Sequence, residues 1–477
     1  MGDKLKAVAG YVMAAVLALI MGYWWMRLMM VSSWLVVGSA ALAGLIALVG
    51  LIRAYSVRSN EDTSLDPILP VVDKQSMQTE TLLTIERDML HAVNEPPVTT
   101  VTFFTGDISN AAAYLHARLK LVVAENPWIA GTVNKSAKSE DISLVYPSAA
   151  EVTDAMVDAL ILVNPEGVEL DDAMPYETLV KNVTTTVAML PGGKELGAPL
   201  LRICLVAAGN GKFAMVFSMS HVVADGYTYY VIFNNLCSSK PAVPLSVVRK
   251  ESAIPKIAEA TAPGFTVFSR PPLVVNMISK LFFGEKRQTY AFYIDDDKVK
   301  VLKAKAKADG AAFVSTNDIL TSSFGLATKA RMLTMAINMR GKLSGCENVM
   351  SGNYESLLWF DPESFGSAAA VRKTLASGPP FKSLSMPQPK GFELMNCTVD
   401  LVTSWASFAD ELRIDGCEQG LHLPVYDAAR IPLNAAIIFR PLPGKLGMLC
   451  LCTKWGEICS TGELPIGEPI STKMFRS

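Results

Sequence analysis

At 477 residues the chain is long enough to bury the cores of two lobes. Its 43 lysines and arginines nearly balance 45 aspartates and glutamates, and the net charge of −2 with no basic run excludes a nucleic-acid footprint. The eight cysteines are scattered. The closest pair, Cys450 and Cys452, forms no C-x-x-C motif, so they read as reduced, mostly buried thiols of a cytosol-facing protein.

Hydropathy is concentrated at the start of the chain. Ala7 to Met26 carries no charge; Arg27 follows, and Leu28 to Ile52 is uncharged again. Each stretch is long enough to cross a ~30 Å hydrocarbon core. A signal peptide would show one shorter apolar region and a small-residue cleavage site. Lys4 and Lys6 precede the first stretch, and Arg53 and Arg58 follow the second. The positive-inside bias then puts both ends on the cytoplasmic side of a transmembrane helical hairpin over residues 1–53. Arg27 snorkels at the tip, beside an aromatic belt of Tyr23, Trp24 and Trp25. A single span with the other helix lying in the interface is the competing arrangement. Lys6 occupies the position where myristoylation needs Ser or Thr. The expectation is an integral membrane protein whose soluble body faces the cytosol or stroma.

Residues 54–80 are polar and carry Pro67 and Pro70, the character of a linker. A first lobe is expected over 81–245. Val98 to Phe104 reads as a strand, and Ala111 to Ala124 as a helix ended by Glu125-Asn126-Pro127-Trp128-Ile129-Ala130-Gly131. Leu200 to Val206 and Phe213 to Ser218 read as strands of a hairpin closed through Asn210-Gly211. The second strand delivers Ser220-His221-Val222-Val223-Ala224-Asp225-Gly226, with Asp225-Gly226 as the turn out of it. A strand end fixes a histidine while leaving it open to substrate, as a general base requires. Only His91, His116, His221 and His422 are available for neutral-pH proton transfer. A structural histidine on a strand–turn corner is the plain alternative.

Residues 246–287 read as a crossover between lobes. The apolar piece Leu273 to Phe283 is expected as a core helix, with a dip into the bilayer as the other possibility. The second lobe, 288–477, opens with the strand Tyr290 to Ile294 and a charged helix over 295–309. A helix running to about Arg331 follows, with Thr316 or Asn317 as its cap. The strand Leu333 to Lys342 carries Arg340, and Leu401-Val402-Thr403-Ser404-Trp405 comes later.

These stretches together resemble the CoA-dependent acyltransferase superfamily, which includes BAHD acyltransferases, chloramphenicol acetyltransferase, wax ester synthase/diacylglycerol acyltransferases and peptide-synthetase condensation domains. His221 to Gly226 matches its HxxxDG signature, and Asn126 to Gly131 its NPxLxG turn. The run from Ser315 through Arg340 is similar to the STxD…NxRxR region of BAHD proteins, Gly352-Asn353 to a following GN turn, and Thr403-Ser404-Trp405 to a TSW tract. One motif departs: where BAHD proteins carry DFGWG, this chain has Ile414-Asp415-Gly416-Cys417-Glu418, which puts a divergent branch in view. The resemblance runs from about Val98 to Cys452 in order, as islands.

It implies an α/β fold of two lobes, chloramphenicol acetyltransferase-like, behind the membrane hairpin. It also implies acyl transfer from acyl-CoA as co-substrate, without a covalent enzyme intermediate or a metal. His221 is then the base and Arg340 pairs with Asp225 to hold its loop. Gly226 and Trp405 support the site, and Thr403 or Ser404 donates to the tetrahedral oxyanion. A serine-nucleophile enzyme would need an elbow such as G-x-S-x-G, which is missing. Tethering to a membrane points to a lipophilic alcohol acceptor, with an amine second, for a monomeric enzyme. Two alternatives stand beside this: an enzyme like the wax ester synthase/diacylglycerol acyltransferases, and a non-catalytic body that binds acyl carriers or partner proteins.

Overall fold

Alternating apolar strands and short amphipathic helices build a five-stranded and a seven-stranded sheet, and each sheet with its helices is called a lobe. The computed structural model describes residues 77–91, 97–135, 142–185, 197–471 and 473–475. The expected hairpin over 1–53 lies outside the described residues, as does most of the expected linker. Among the described residues no helix is long and apolar enough to cross a membrane.

In the first half of the chain the strands are β1 (Gln78–Thr81), β2 (Val98–Thr105), β3 (Thr132–Lys135), β4 (Ile142–Tyr146), β5 (Ile161–Val163), β6 (Leu201–Gly209) and β7 (Lys212–Met219). The second half adds β8 (Gln288–Ile294), β9 (Met332–Asn338), β10 (Glu355–Phe360), β11 (Val399–Ser404), β12 (Glu418–Pro424), β13 (Asn434–Leu442), β14 (Lys445–Cys452) and β15 (Ile466–Pro469). The N-lobe sheet has the order β12-β2-β7-β6-β5, with the small sheet β1-β4-β3 beside it; the C-lobe sheet runs β10-β9-β11-β13-β14-β8-β15. Strand β11 is parallel to β9 and β13, whereas most other pairs are antiparallel.

Eight helices matter below: α1 (Thr84–His91), α2 (Ile108–Glu125), α3 (Gly226–Leu236), α4 (Ala253–Ala260), α5 (Pro271–Phe282), α6 (Asp296–Ala308), α7 (Thr316–Ala327) and α8 (Gly391–Asn396). The β6–β7 hairpin closes as its sequence dictates, with Asn210 at φ 51° and Gly211 at φ 70°, both left-handed.

Period-two alternation partitions the core. On β13, Ala435, Ile437 and Phe439 face a cluster continuous with the N-lobe, through Val216, Phe217 and Trp405. Ala436 and Ile438 face the opposite way, onto Leu320 and Phe324 of α7. The apolar sheet face between the lobes therefore joins them into one body.

Several boundaries differ from those drawn on sequence. Strand β1 begins at Gln78, inside the expected linker, because it pairs with β4. The crossover is no linker in form: it folds into α4, a 3₁₀ turn over Gly264–Ser269, and α5. Helix α7 is capped by Ser315, not Thr316 or Asn317; its hydroxyl accepts from the Asp318 amide and the Asp318 carboxylate returns the bond to the Ser315 amide. Strand β12 comes from the expected second lobe but completes the first lobe's sheet, antiparallel to β2.

Candidate active site

Strand β7 stops at Met219, and the next ordered element is α3, whose first residue is Gly226. Between them the chain makes one tight loop bearing His221. Asp225 ends that loop as the N-cap of α3: Oδ1 accepts from the Thr228 amide at 2.9 Å. The sequence reading of Asp225-Gly226 as a turn thus becomes a helix start. Gly226 is required neither by a left-handed angle nor by space, since a Cβ there would lie 3.7 Å from the Trp405 indole nitrogen, an ordinary packing distance.

The other carboxylate oxygen of Asp225 meets Arg340 Nη1 at 2.6 Å and the Tyr354 amide at 3.1 Å. Arg340 sits in the turn after β9, so this pair joins the two lobes. All five guanidinium N–H groups are engaged. Nε donates to the Met350 carbonyl, Nη1 also to Asn338 Oδ1, and Nη2 to Thr228 Oγ1 and the Gly352 carbonyl. The tyrosine rings of Tyr227 and Tyr354 lie over it at 4.7 and 5.2 Å. With both partners buried, the ion pair is sustained by these extra bonds rather than by charge alone.

A second buried ion pair braces the same loop. Glu86 of α1 meets Arg249 Nε at 3.0 Å, and Arg249 Nη2 donates to the Val223 carbonyl. Glu86 Oε1 accepts from the Asn353 amide, while the Asn353 side chain donates to the carbonyls of His221 (2.8 Å) and Val222 (3.1 Å). Gly352, at φ 106°, lets these chains approach: a Cβ would fall 2.7 Å from Glu86 Oε1 and 2.9 Å from Arg249 Cζ.

The His221 side chain is 15% exposed, and its Nε2 lies 3.9 Å from Glu355 Oε1. Glu355 lines a narrow crevice of about 30 Å³ together with Asn338, Thr403, Ser404, Trp405 and Phe408. Of the residues expected at the site, Asp225, Gly226, Thr403, Ser404 and Trp405 line the crevice, Arg340 reaches it through Asp225, and His221 lies 3.9 Å from the lining Glu355. Sequence reasoning missed Glu355, Asn338, Glu86 and Arg249. Glu355 had a readable signal, a lone charge opening the otherwise apolar strand Ser356-Leu357-Leu358-Trp359-Phe360. Glu86 had none, because its partner is 163 residues away.

A larger cavity, about 270 Å³, lies beyond Trp405, lined by Tyr230, Phe233, Leu412, His422 and Arg440 among others. Trp405 of the crevice packs edge-on to Tyr230 of this cavity at 6.0 Å. His422 contacts the Thr102 and Tyr230 hydroxyls, and burial pushes its imidazole down to about 3, so it stays neutral at pH 7. That leaves His221 as the accessible imidazole at the crevice. Among the described residues no group of three acidic, histidine or cysteine side chains is arranged to hold a metal.

No family profile and no curated protein matches the chain by sequence. Solved structures do match by shape. TRI101 of F. sporotrichioides, in complex with coenzyme A and T-2, is 15% identical, covering 83% of this chain and 100% of its own at a TM-score of 0.53. Vinorine synthase is 14% identical over 84% and 97%, also at 0.53. The first condensation domain of the CDA synthetase is 12% identical over 81% and 94%, at 0.50. The chain shares its fold with these structures, the fold that the sequence resemblance implied.

Proposed function

We propose that this protein is a membrane-anchored acyltransferase moving an acyl group from acyl-CoA to the hydroxyl of a lipophilic acceptor. The observation that carries the reading is the His221 ring, 15% exposed and 3.9 Å from the crevice-lining Glu355, on a loop locked by the Asp225–Arg340 pair. The coenzyme A held by TRI101 supports the choice of acyl donor. Membrane anchoring rests on the two uncharged stretches over 7–52.

In this mechanism His221 Nε2 takes the acceptor's hydroxyl proton as the oxygen attacks the thioester carbonyl. Negative charge gathers on the former carbonyl oxygen, where a hydroxyl of Ser404 or Thr403 donates to it. Collapse expels the CoA thiolate, which receives the proton from His221, leaving an ester and free CoA. Asp225 takes no proton; tied to Arg340, it keeps the base in place. Glu355, 3.9 Å from Nε2, favours the imidazolium formed midway.

The test is thiol release from purified full-length protein given acyl-CoA and lipid extracts, wild type against His221→Ala. The variant is expected to fold and to lose activity by roughly 10²–10⁴-fold, the usual worth of a general base. An equal, measurable rate in the variant removes His221 as the base, and no thiol release from either protein means binding of acyl carriers or partners without turnover.

A further inference from the structure

A helix packed on a globular body normally turns its polar side outward. Helix α5 does not. Its inner stripe is Leu273, Asn276 and Lys280, the last two tied to α8 and the chain beyond it: Asn276 Nδ2 donates to the Leu394 and Cys397 carbonyls, and Lys280 Nζ to Cys397. The outer side is also apolar. Val275, Leu281, Phe282 and Phe283 are 36–56% exposed, and Phe392 on the adjoining α8 is 79% exposed. The hydrogen bonds between α5 and the α8 segment hold together the two helices that carry these side chains, and the Phe282 and Phe283 rings lie 6.4 Å apart.

We propose that this face of α5 and α8 is a lipid-contacting surface, seated in the interfacial layer of a bilayer. Three observations favour lipid over a protein partner. First, the patch belongs to a chain whose residues 7–52, outside the described structure, carry a single charge. Second, two exposed lysines flank it, Lys286 after α5 and Lys390 before α8, whereas the half-buried Arg270 and Arg287 are held by Gln388 and by the Leu433 and Pro432 carbonyls. Of the neighbouring acids, Glu393 is already paired with Arg331 at 2.7 Å, leaving Glu285. Basic residues around an apolar face suit anionic headgroups. Third, the apolar cluster beneath α5, containing Leu273, Leu357 and Trp359, has Ala336 packed against it, and Ala336 also lines the crevice beside His221. Ala336 thereby puts this face within one packed layer of the crevice, the side from which a lipophilic acceptor would approach. The proposal deepens the reading of a lipid-acylating enzyme and rests on it for the acceptor's route.

Full-length protein carrying Phe282→Cys, Phe392→Cys or, as reference, the exposed Lys300→Cys on α6 is labelled with an environment-sensitive fluorophore. The unsubstituted chain supplies the background from its native thiols, of which Cys459 is exposed. Each is reconstituted into phosphatidylcholine–phosphatidylserine vesicles with and without doxyl-labelled lipid. Labels at 282 and 392 are expected to lose about half or more of their fluorescence to the doxyl groups, as insertion to ~5–10 Å requires, and the label at 300 to keep its own. Equal behaviour at all three positions overturns the proposal, as it would were the face covered by another protein or by residues 7–52. Flotation of the vesicles reports separately on anchoring. A floating chain with unquenched labels sinks the patch and spares the anchor, and a floating chain quenched at both positions supports the patch.

Discussion

Arg340 has no unused donor, and that governs what its replacement costs. Lysine keeps the charge but presents its donors from one point, so it cannot span Asp225, the Met350 and Gly352 carbonyls and Thr228 together. Removing one side of a buried, hydrogen-bonded pair costs about 3–5 kcal/mol. Arg340→Lys is expected to lose roughly 3 kcal/mol in urea unfolding, because charge survives while geometry fails. Asp225→Asn should destabilise similarly, and the double variant by less than the sum. Additive losses would mean that the two side chains do not act as a unit. The pairing itself was readable beforehand only through motif resemblance. Nothing in local composition links residues 115 apart, and the Glu86–Arg249 pair, with no motif to mark it, stayed invisible.

The segment after β9 acts as a strap over the histidine loop. Its Gly352 carbonyl accepts from Arg340 and Thr228, Ser351 is held by Arg249, and the Asn348 carbonyl accepts from Tyr227. Asn353 is the contact that reaches the histidine's own backbone. Asn353→Ala removes both side-chain bonds to the loop carbonyls while leaving the crevice walls intact. The expected result is a kcat lowered about tenfold with KM little changed, the mark of lost orientation; a purely structural role would lower stability and leave the kcat of the folded fraction intact. Elements of this kind show where sequence reading stops. Hairpin β6–β7 was legible because Asn210-Gly211 encodes its turn locally. Strand β12 was not: its seat beside β2 is a long-range pairing, interrupted by a register shift between Gln419 and His422 that breaks the alternation a strand is recognised by. Helix α3 was half legible, since the same aspartate that suggests a turn serves equally as a cap.

Across the whole molecule, two lobes follow from the order of apolar strands and helices, but which groups end up buried and titratable depends on how the sheets stack. Two such groups oppose each other in pH. Asp400 on β11 is fully buried, and desolvation pushes its carboxyl from 3.8 up to about 7, against the pull of Thr328, Lys280, Asn434 and Arg287. The folded protein holds this proton where the unfolded chain has released it. Stability is therefore undiminished below pH 3.8 and is lost progressively as pH rises towards 7. His422 does the reverse: neutral in the fold but protonated in the unfolded chain, it costs stability as pH falls from 6.5 towards 3. Between about pH 4 and 6 each contributes one proton of opposite sign, so the two slopes cancel. Replacing one group should expose the other. In Asp400→Asn the amide stays neutral throughout, and the variant should gain on wild type by up to roughly 1.4 kcal/mol per pH unit from pH 4 to 7, levelling off above. Urea unfolding of both proteins at half-unit steps reads this difference directly. A gap that stays constant with pH would mean that Asp400 titrates like an exposed carboxylate, and that water reaches the inside of the C-lobe sheet beside Asn434.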